Sequence, residues 1–155
     1  MLIHSVIMAA CLLSTSQQQV NKNVIVSANA AEVVAAPGKK TIAVIEIRVK
    51  SGYHIQANKV TDASLIPVTL KIIQPASFTM SEAVFPHYKL FRLEGTTHSL
   101  HVFDNNFVIR LPFQTPVTTK PGRYLIKAQL HYQACDATKC LFPRTLDLEI
   151  PVVVS

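Results

Sequence analysis

Near the C-terminal end, two runs of alternating apolar and polar residues face each other across a short intervening segment. In the first, Tyr124, Ile126, Ala128, Leu130 and Tyr132 fall on one face, with Lys127, Gln129, His131 and Gln133 on the other. In the second, Leu146, Leu148, Ile150, Val152 and Val154 share a face, with Asp147 and Glu149 opposite. A period of two predicts half-buried strands, and the short spacing predicts that they pair as a hairpin. The same alternation covers residues 41–49. There Ala43, Ile45, Ile47 and Val49 form the cleaner core face, against Ile42, Val44, Glu46 and Arg48. Shorter strand-like runs occupy residues 24–26, 68–73 and 102–111. A Pro37-Gly38 turn, Pro67, Pro75, Pro86, Pro112, Pro116 and Pro121-Gly122 punctuate them, and no long helical periodicity appears. Many short strands with proline-rich turns predict an all-β antiparallel sandwich.

Between the two paired runs lie Cys135 and Cys140, with four residues between them. Facing residues of antiparallel strands hold their Cα atoms about 4.5–5.5 Å apart, a separation a disulfide accepts. The pair can therefore close and open with little backbone movement. Three chemistries suit it. A structural disulfide closing so short a loop contributes about 2 kcal/mol, and a chain of this length buries enough surface to fold without it. A zinc site needs four ligands, yet there is no second cysteine pair and no histidine at metal-ligand spacing. A redox-active dithiol needs two neighbouring thiols at an accessible loop, one to attack a partner's disulfide and one to resolve the mixed disulfide. Lys139 beside Cys140 favours a thiolate there, and Asp136 beside Cys135 opposes one.

Composition narrows the partners. The 155 residues are 49% hydrophobic and 15% charged, which suits one domain with its own core. The net charge is +6, but lysines and arginines are scattered, with no run beyond Lys39-Lys40 and no aromatic interleaving. Nucleic-acid binding is not expected, whereas attraction of an acidic protein partner is. Tryptophan is absent and the mature cysteines are neighbours, so any immunoglobulin-like β-sandwich here shares that fold's architecture and not the antibody-type cysteine–tryptophan–cysteine pattern.

Tyr132-Gln133-Ala134-Cys135 and Cys140-Leu141-Phe142-Pro143 together resemble the cysteine hairpin of the amino-terminal periplasmic domain of DsbD-type thiol:disulfide interchange proteins. Three further stretches resemble the same family in the same order: residues 52–58 (Gly-Tyr-His-Ile-Gln-Ala-Asn), 65–70 (Leu-Ile-Pro-Val-Thr-Leu) and 121–124 (Pro-Gly-Arg-Tyr). The resemblance runs from about Val24 to the C-terminus. It implies an immunoglobulin-like sandwich and dithiol–disulfide exchange, with Cys140 forming the mixed disulfide and Cys135 resolving it. It also implies thioredoxin-like periplasmic partners and no cofactor or metal. The chain carries neither the membrane-spanning electron carrier nor the thioredoxin-like domain of such proteins, so a membrane-bound electron donor is expected in trans. The alternative from another class is a non-catalytic protein-binding sandwich whose hairpin is stapled by a structural disulfide.

Further positions acquire candidate roles from that resemblance. His54 and Gln56 stand where better-studied members carry tyrosines, bordering the cysteines, and His54 is suited to stabilising a thiolate or shuttling a proton. Tyr88 and Phe91 lie in the segment corresponding to the family's cap over the cysteines, although residues 85–94 lack the acidic residues expected beside such a cap. Tyr132 borders the cysteine hairpin. At the amino terminus, residues 2–13 are almost continuously apolar and too short to span a membrane as a mature helix. Residues 1–16 read as a signal peptide without a basic n-region, 17–22 as a linker and 23–155 as the sandwich domain. Cys11, within Met8-Ala9-Ala10-Cys11, is a candidate lipid-anchor site. With it assigned to the leader, the mature chain keeps one cysteine pair, as suits a periplasmic or exported protein in an oxidising compartment.

Overall fold

A computed structural model describes residues 24–155; the leader at 1–16, the linker at 17–22 and Cys11 lie outside the described residues. Twelve strands follow in order: β1 (Val26–Ala30), β2 (Val33–Ala35), β3 (Lys40–Val49), β4 (His54–Gln56), β5 (Thr69–Gln74), β6 (Thr79–Met80), β7 (Lys89–Arg92), β8 (Ser99–Asp104), β9 (Asn106–Gln114), β10 (Gly122–Tyr132), β11 (Ala134–Cys135) and β12 (Arg144–Val154). They form three four-stranded sheets, ordered β1-β3-β9-β6, β2-β12-β10-β5 and β11-β4-β8-β7. No helix occurs among the described residues.

The sheets built on β3/β9 and on β10/β12 make an immunoglobulin-like β-sandwich, and alternation decides which side chains fill it. β3 contributes Ala43, Ile45 and Ile47, and β9 contributes Ile109, Leu111 and Phe113. Ile126, Ala128 and Leu130 of β10 and Leu148, Ile150 and Val152 of β12 supply the facing layer. The predicted hairpin is present in full register, from Gly122↔Val154 to Tyr132↔Arg144. The Pro37-Gly38 turn is also present. Gly38 adopts φ +74°, which strains any other residue, and a Cβ there would stand 2.9 Å from Val117 Cγ1 and displace that side chain.

The structure departs from the sequence-based expectation in several places, the short strands β2, β4, β6, β7 and β11 among them. Residues 102–111 do not form one strand: Asn105, at φ 53°, turns the chain between β8 and β9, which belong to different sheets. Asparagine tolerates this left-handed conformation, and the alternation continues on both sides of it, so periodicity does not register the break. Pro112 does not end a strand but lies inside β9, opposite Ile42, where its carbonyl accepts from the Ser81 N–H. The first strand begins at Val26 and not at Val24. One pairing is parallel, β2 with β12, because the chain passes from β1 to β2 across two residues without reversing as it changes sheets.

Candidate functional site

The third sheet carries Cys135, and Cys140 faces it through an isolated bridge. After Tyr132 the chain steps through Gln133 into β11, which leaves β12 and pairs with β4 instead, Ala134 opposite Ile55 and Cys135 opposite His54. The Gln133 side chain fixes that step, its amide donating to Leu141 O at 3.2 Å while its oxygen accepts from the Ile66 N–H at 3.3 Å. Asp136 then closes the loop. Its N–H donates to Lys139 O at 2.9 Å, and its carboxylate accepts from the N–H groups of Thr138 and Lys139 at 2.8 and 2.9 Å. The Thr138 hydroxyl adds a third donor at 2.8 Å. These bonds, led by the Thr138 N–H, hold the Asp136 carboxyl below the ordinary carboxylate range.

Cys135 and Cys140 are joined as a disulfide with Cα atoms 3.9 Å apart. That is closer than facing strand residues ordinarily stand. The two cysteines differ in surroundings: Cys135 is fully buried and Cys140 is exposed. Lys139 and the loop residues Ala137 and Thr138 are exposed as well.

Register places His54, Gln56 and Cys135 on one face of the third sheet, since Cys135 opposes His54 and Gln56 lies two residues on. Gln56 is fully buried, and its Nε2 stands 3.4 Å from Cys135 Sγ and 3.9 Å from Cys140 Sγ. Its Oε1 is buried without a partner, as is His54 Nε2. Burial pushes the His54 imidazole below its ordinary value, against the opposing pull of the Asp104 and Asp136 carboxylates. Phe91 covers this histidine with ring centroids 4.2 Å apart. Asp104, directly opposite His54 on β8, is paired with Lys89 Nζ at 2.5 Å.

The remaining two candidates lie elsewhere. Tyr88 stacks on His101 with centroids 3.6 Å apart, and alternation along β8 puts His101 on the face opposite Val102 and Asp104. Tyr132 is buried in the core, its phenol pushed up by burial, and lines a cleft of about 330 Å³ together with Leu141, Phe142 and Arg144. The structure thus gathers Cys135, Cys140, His54, Gln56 and Phe91, and leaves Tyr88 apart. Gln133 and Asp136 shape the site and were not singled out as such from the sequence, although Asp136-Ala137-Thr138 carries the Asx-turn pattern that signals this kind of loop. Among the described residues, no three His, Cys, Asp or Glu side chains are grouped to hold a metal ion. Nor is any helix there long and apolar enough to cross a membrane.

The profile of the family described as thiol:disulfide interchange protein DsbD, N-terminal, matches residues 22–150. Among solved structures, the N-terminal periplasmic domain of ScsB from Proteus mirabilis superposes with a TM-score of 0.55 at 13% identity, over 81% of this chain and 44% of that one. The N-terminal domain of DsbD from Neisseria meningitidis in its reduced form gives a TM-score of 0.50 at 17% identity, over 81% of this chain and 82% of that one. The chain therefore spans less than half of the Proteus mirabilis structure. At these identities the two neighbours speak for the fold. No curated protein sequence matches the chain.

Proposed function

Since this chain belongs to the family of the N-terminal domain of the thiol:disulfide interchange protein DsbD, we propose that it passes reducing equivalents through the Cys135/Cys140 pair to periplasmic protein partners. The observation that supports this most directly is the asymmetry of the disulfide, with Cys140 exposed and Cys135 buried. An entering thiolate reaches Cys140 first. Attack on Cys140 Sγ by a donor thiolate breaks the disulfide, expels the Cys135 thiolate and forms a mixed disulfide with the donor. The donor's second thiolate then resolves it, leaving the domain as a dithiol and the donor oxidised by two electrons.

Delivery runs the same chemistry outward. The Cys140 thiolate attacks a partner's disulfide, and the partner's departing sulfur takes a proton. Cys135 then attacks Cys140 Sγ, releasing the partner's second thiol and restoring the disulfide. Thioredoxin-like proteins are the partners this exchange suits, with a membrane-bound protein as donor. The periplasm is its compartment, reached through the leader at 1–16 with residues 23–155 as the working domain; in the alternative, cleavage before Cys11 leaves that residue as a lipid anchor.

The test is the reduction potential of the purified domain, equilibrated in graded dithiol buffers with free thiols trapped. Exchange predicts roughly −180 to −270 mV, among the thioredoxin-like couples, whereas structural disulfides lie below about −300 mV. A value in the lower range would favour a stapled binding module instead. In parallel, the reduced Cys135→Ser variant should accumulate a mixed disulfide with an oxidised thioredoxin-like partner that lacks its own resolving cysteine. Faster capture by Cys140→Ser would reverse the roles of the two thiols.

A further inference from the structure

We infer that Gln56 sets the redox poise of the cysteine pair, acting as hydrogen-bond donor to the disulfide and to the Cys135 thiolate, and as acceptor for the Cys135 thiol. The inference rests on the exchange reading above and assigns a side chain that touches the reacting sulfur. Gln56 is held firmly. It is the last residue of β4, paired with Val102 on β8, and its N–H donates to Gln133 O at 3.2 Å. Its side chain is fully buried, out of contact with bulk solvent.

A disulfide offers lone pairs but no proton, so the amide nitrogen is the end that must face it. That is the orientation present, with Nε2 at 3.4 Å from Cys135 Sγ and 3.9 Å from Cys140 Sγ. The consequence is an amide oxygen left buried and unpartnered, which is costly for a group that ordinarily accepts two hydrogen bonds. Reduction changes the account. Two electrons and two protons cleave the S–S bond to two thiols, and each S–H is a donor that the disulfide lacked. A half-turn of the amide then brings Oε1 to the Cys135 thiol. Where Cys135 is a thiolate, Nε2 stays in place and its bond becomes charge-assisted and stronger.

Both reduced forms are therefore served better by Gln56 than the oxidised form is. The side chain favours the dithiol and raises the potential of the pair. It also favours the Cys135 thiolate, the species that must attack Cys140 Sγ to release a partner. Its closer approach to Cys135 assigns it mainly to resolution and less to capture. An apolar side chain of the same shape would leave the disulfide nearly undisturbed and withdraw both services. A carboxylate would keep the acceptor but oppose the thiolate.

Gln56→Met separates these effects with little change in shape. The exchange equilibrium against a reference dithiol should shift about tenfold toward the disulfide, a potential about 30 mV more negative than that of the unsubstituted domain. The Cys135 pKa, read from thiolate ultraviolet absorbance in a Cys140→Ala background, should rise. Resolution of a preformed mixed disulfide should slow, while capture in the Cys135→Ser background holds its rate. A potential within about threefold in equilibrium constant of the parent, with an unchanged Cys135 pKa, overturns the inference. If Gln56→Met does not fold, Gln56→Glu keeps the shape, and its carboxylate should raise the Cys135 pKa; no rise overturns the inference equally. A parent potential below about −300 mV would sink the exchange reading alone, because the difference between parent and variant still reports on Gln56.

Discussion

His54 sits beneath the Phe91 ring with 4% of its surface exposed, and its Nε2 has no partner. Burial lowers its pKa from 6.5, more than the Asp104 and Asp136 carboxylates raise it. The unfolded chain therefore binds a proton at a pH where the folded chain does not, and stability rises with pH through that window. Stability should be full above about pH 6.5 and fall as the pH drops below it toward the folded-state value. Asp62 and Asp136, whose pKa values are lowered from 3.8, add their own loss only in more acid solution. Urea midpoints between pH 8 and pH 5 would show the decline, and a His54→Gln variant should be flat across it. A decline of equal size in that variant would take the effect away from His54. At this scale the sequence was partly legible. His54 and Gln56 stood out because they replace expected tyrosines in residues 52–58, and strand register brings both to the sulfurs' face. Tyr88 and Phe91 are three residues apart, yet only Phe91 reaches that face; alternation within one short edge strand does not tell which side of the sheet a preceding residue takes.

The cysteine hairpin is an element held by more than its disulfide. The Asp136 turn, the Leu141 N–H bond to Ala134 O at 2.8 Å and the two bonds of the Gln133 side chain hold the loop without using either sulfur. A loop closed over so few residues also gains little from the covalent link, about 2 kcal/mol by chain entropy. The Cys135→Ser/Cys140→Ser double variant should accordingly stay folded and lose about 2 kcal/mol or less in a denaturant titration. An unfolded double variant at room temperature would make the disulfide a staple and remove the ground for reversible opening. The elements legible in advance were β3, β10 and β12, each long enough for alternation to repeat and each covered on one face only. β4 escaped detection for the opposite reason. All three of its residues are buried, so it shows no alternation at all, and it holds Gln56, which reaches the sulfurs, and His54, which pairs with Cys135 in register.

At the scale of the whole molecule, most of the core comes from the two sandwich sheets, while Cys135 lies on the third, which adds only Ile55, Phe103 and Ala134 to the same cluster. β11 continues from β10 through Gln133, and β8 turns into β9 at Asn105, so the third sheet is carried by the sandwich without contributing most of its apolar layer. This division predicts that stability and redox poise respond to different substitutions. Ile150 is fully buried in β12, opposite Ile126. Truncation by Ile150→Ala removes buried methylenes and leaves a cavity, at a cost of about 2–5 kcal/mol. The disulfide is approached by Gln56, His54 and the Asp136 turn, none of which Ile150 pairs with across its strands, so the exchange equilibrium should stay within about threefold of the parent, about 15 mV. The measurement is a paired one, denaturant unfolding and redox equilibration on the same preparation, made well below the unfolding midpoint. A core truncation that shifts the potential as far as Gln56→Met does would mean the two sheets respond as one unit, and the poise of the cysteines would then belong to the sandwich as a whole.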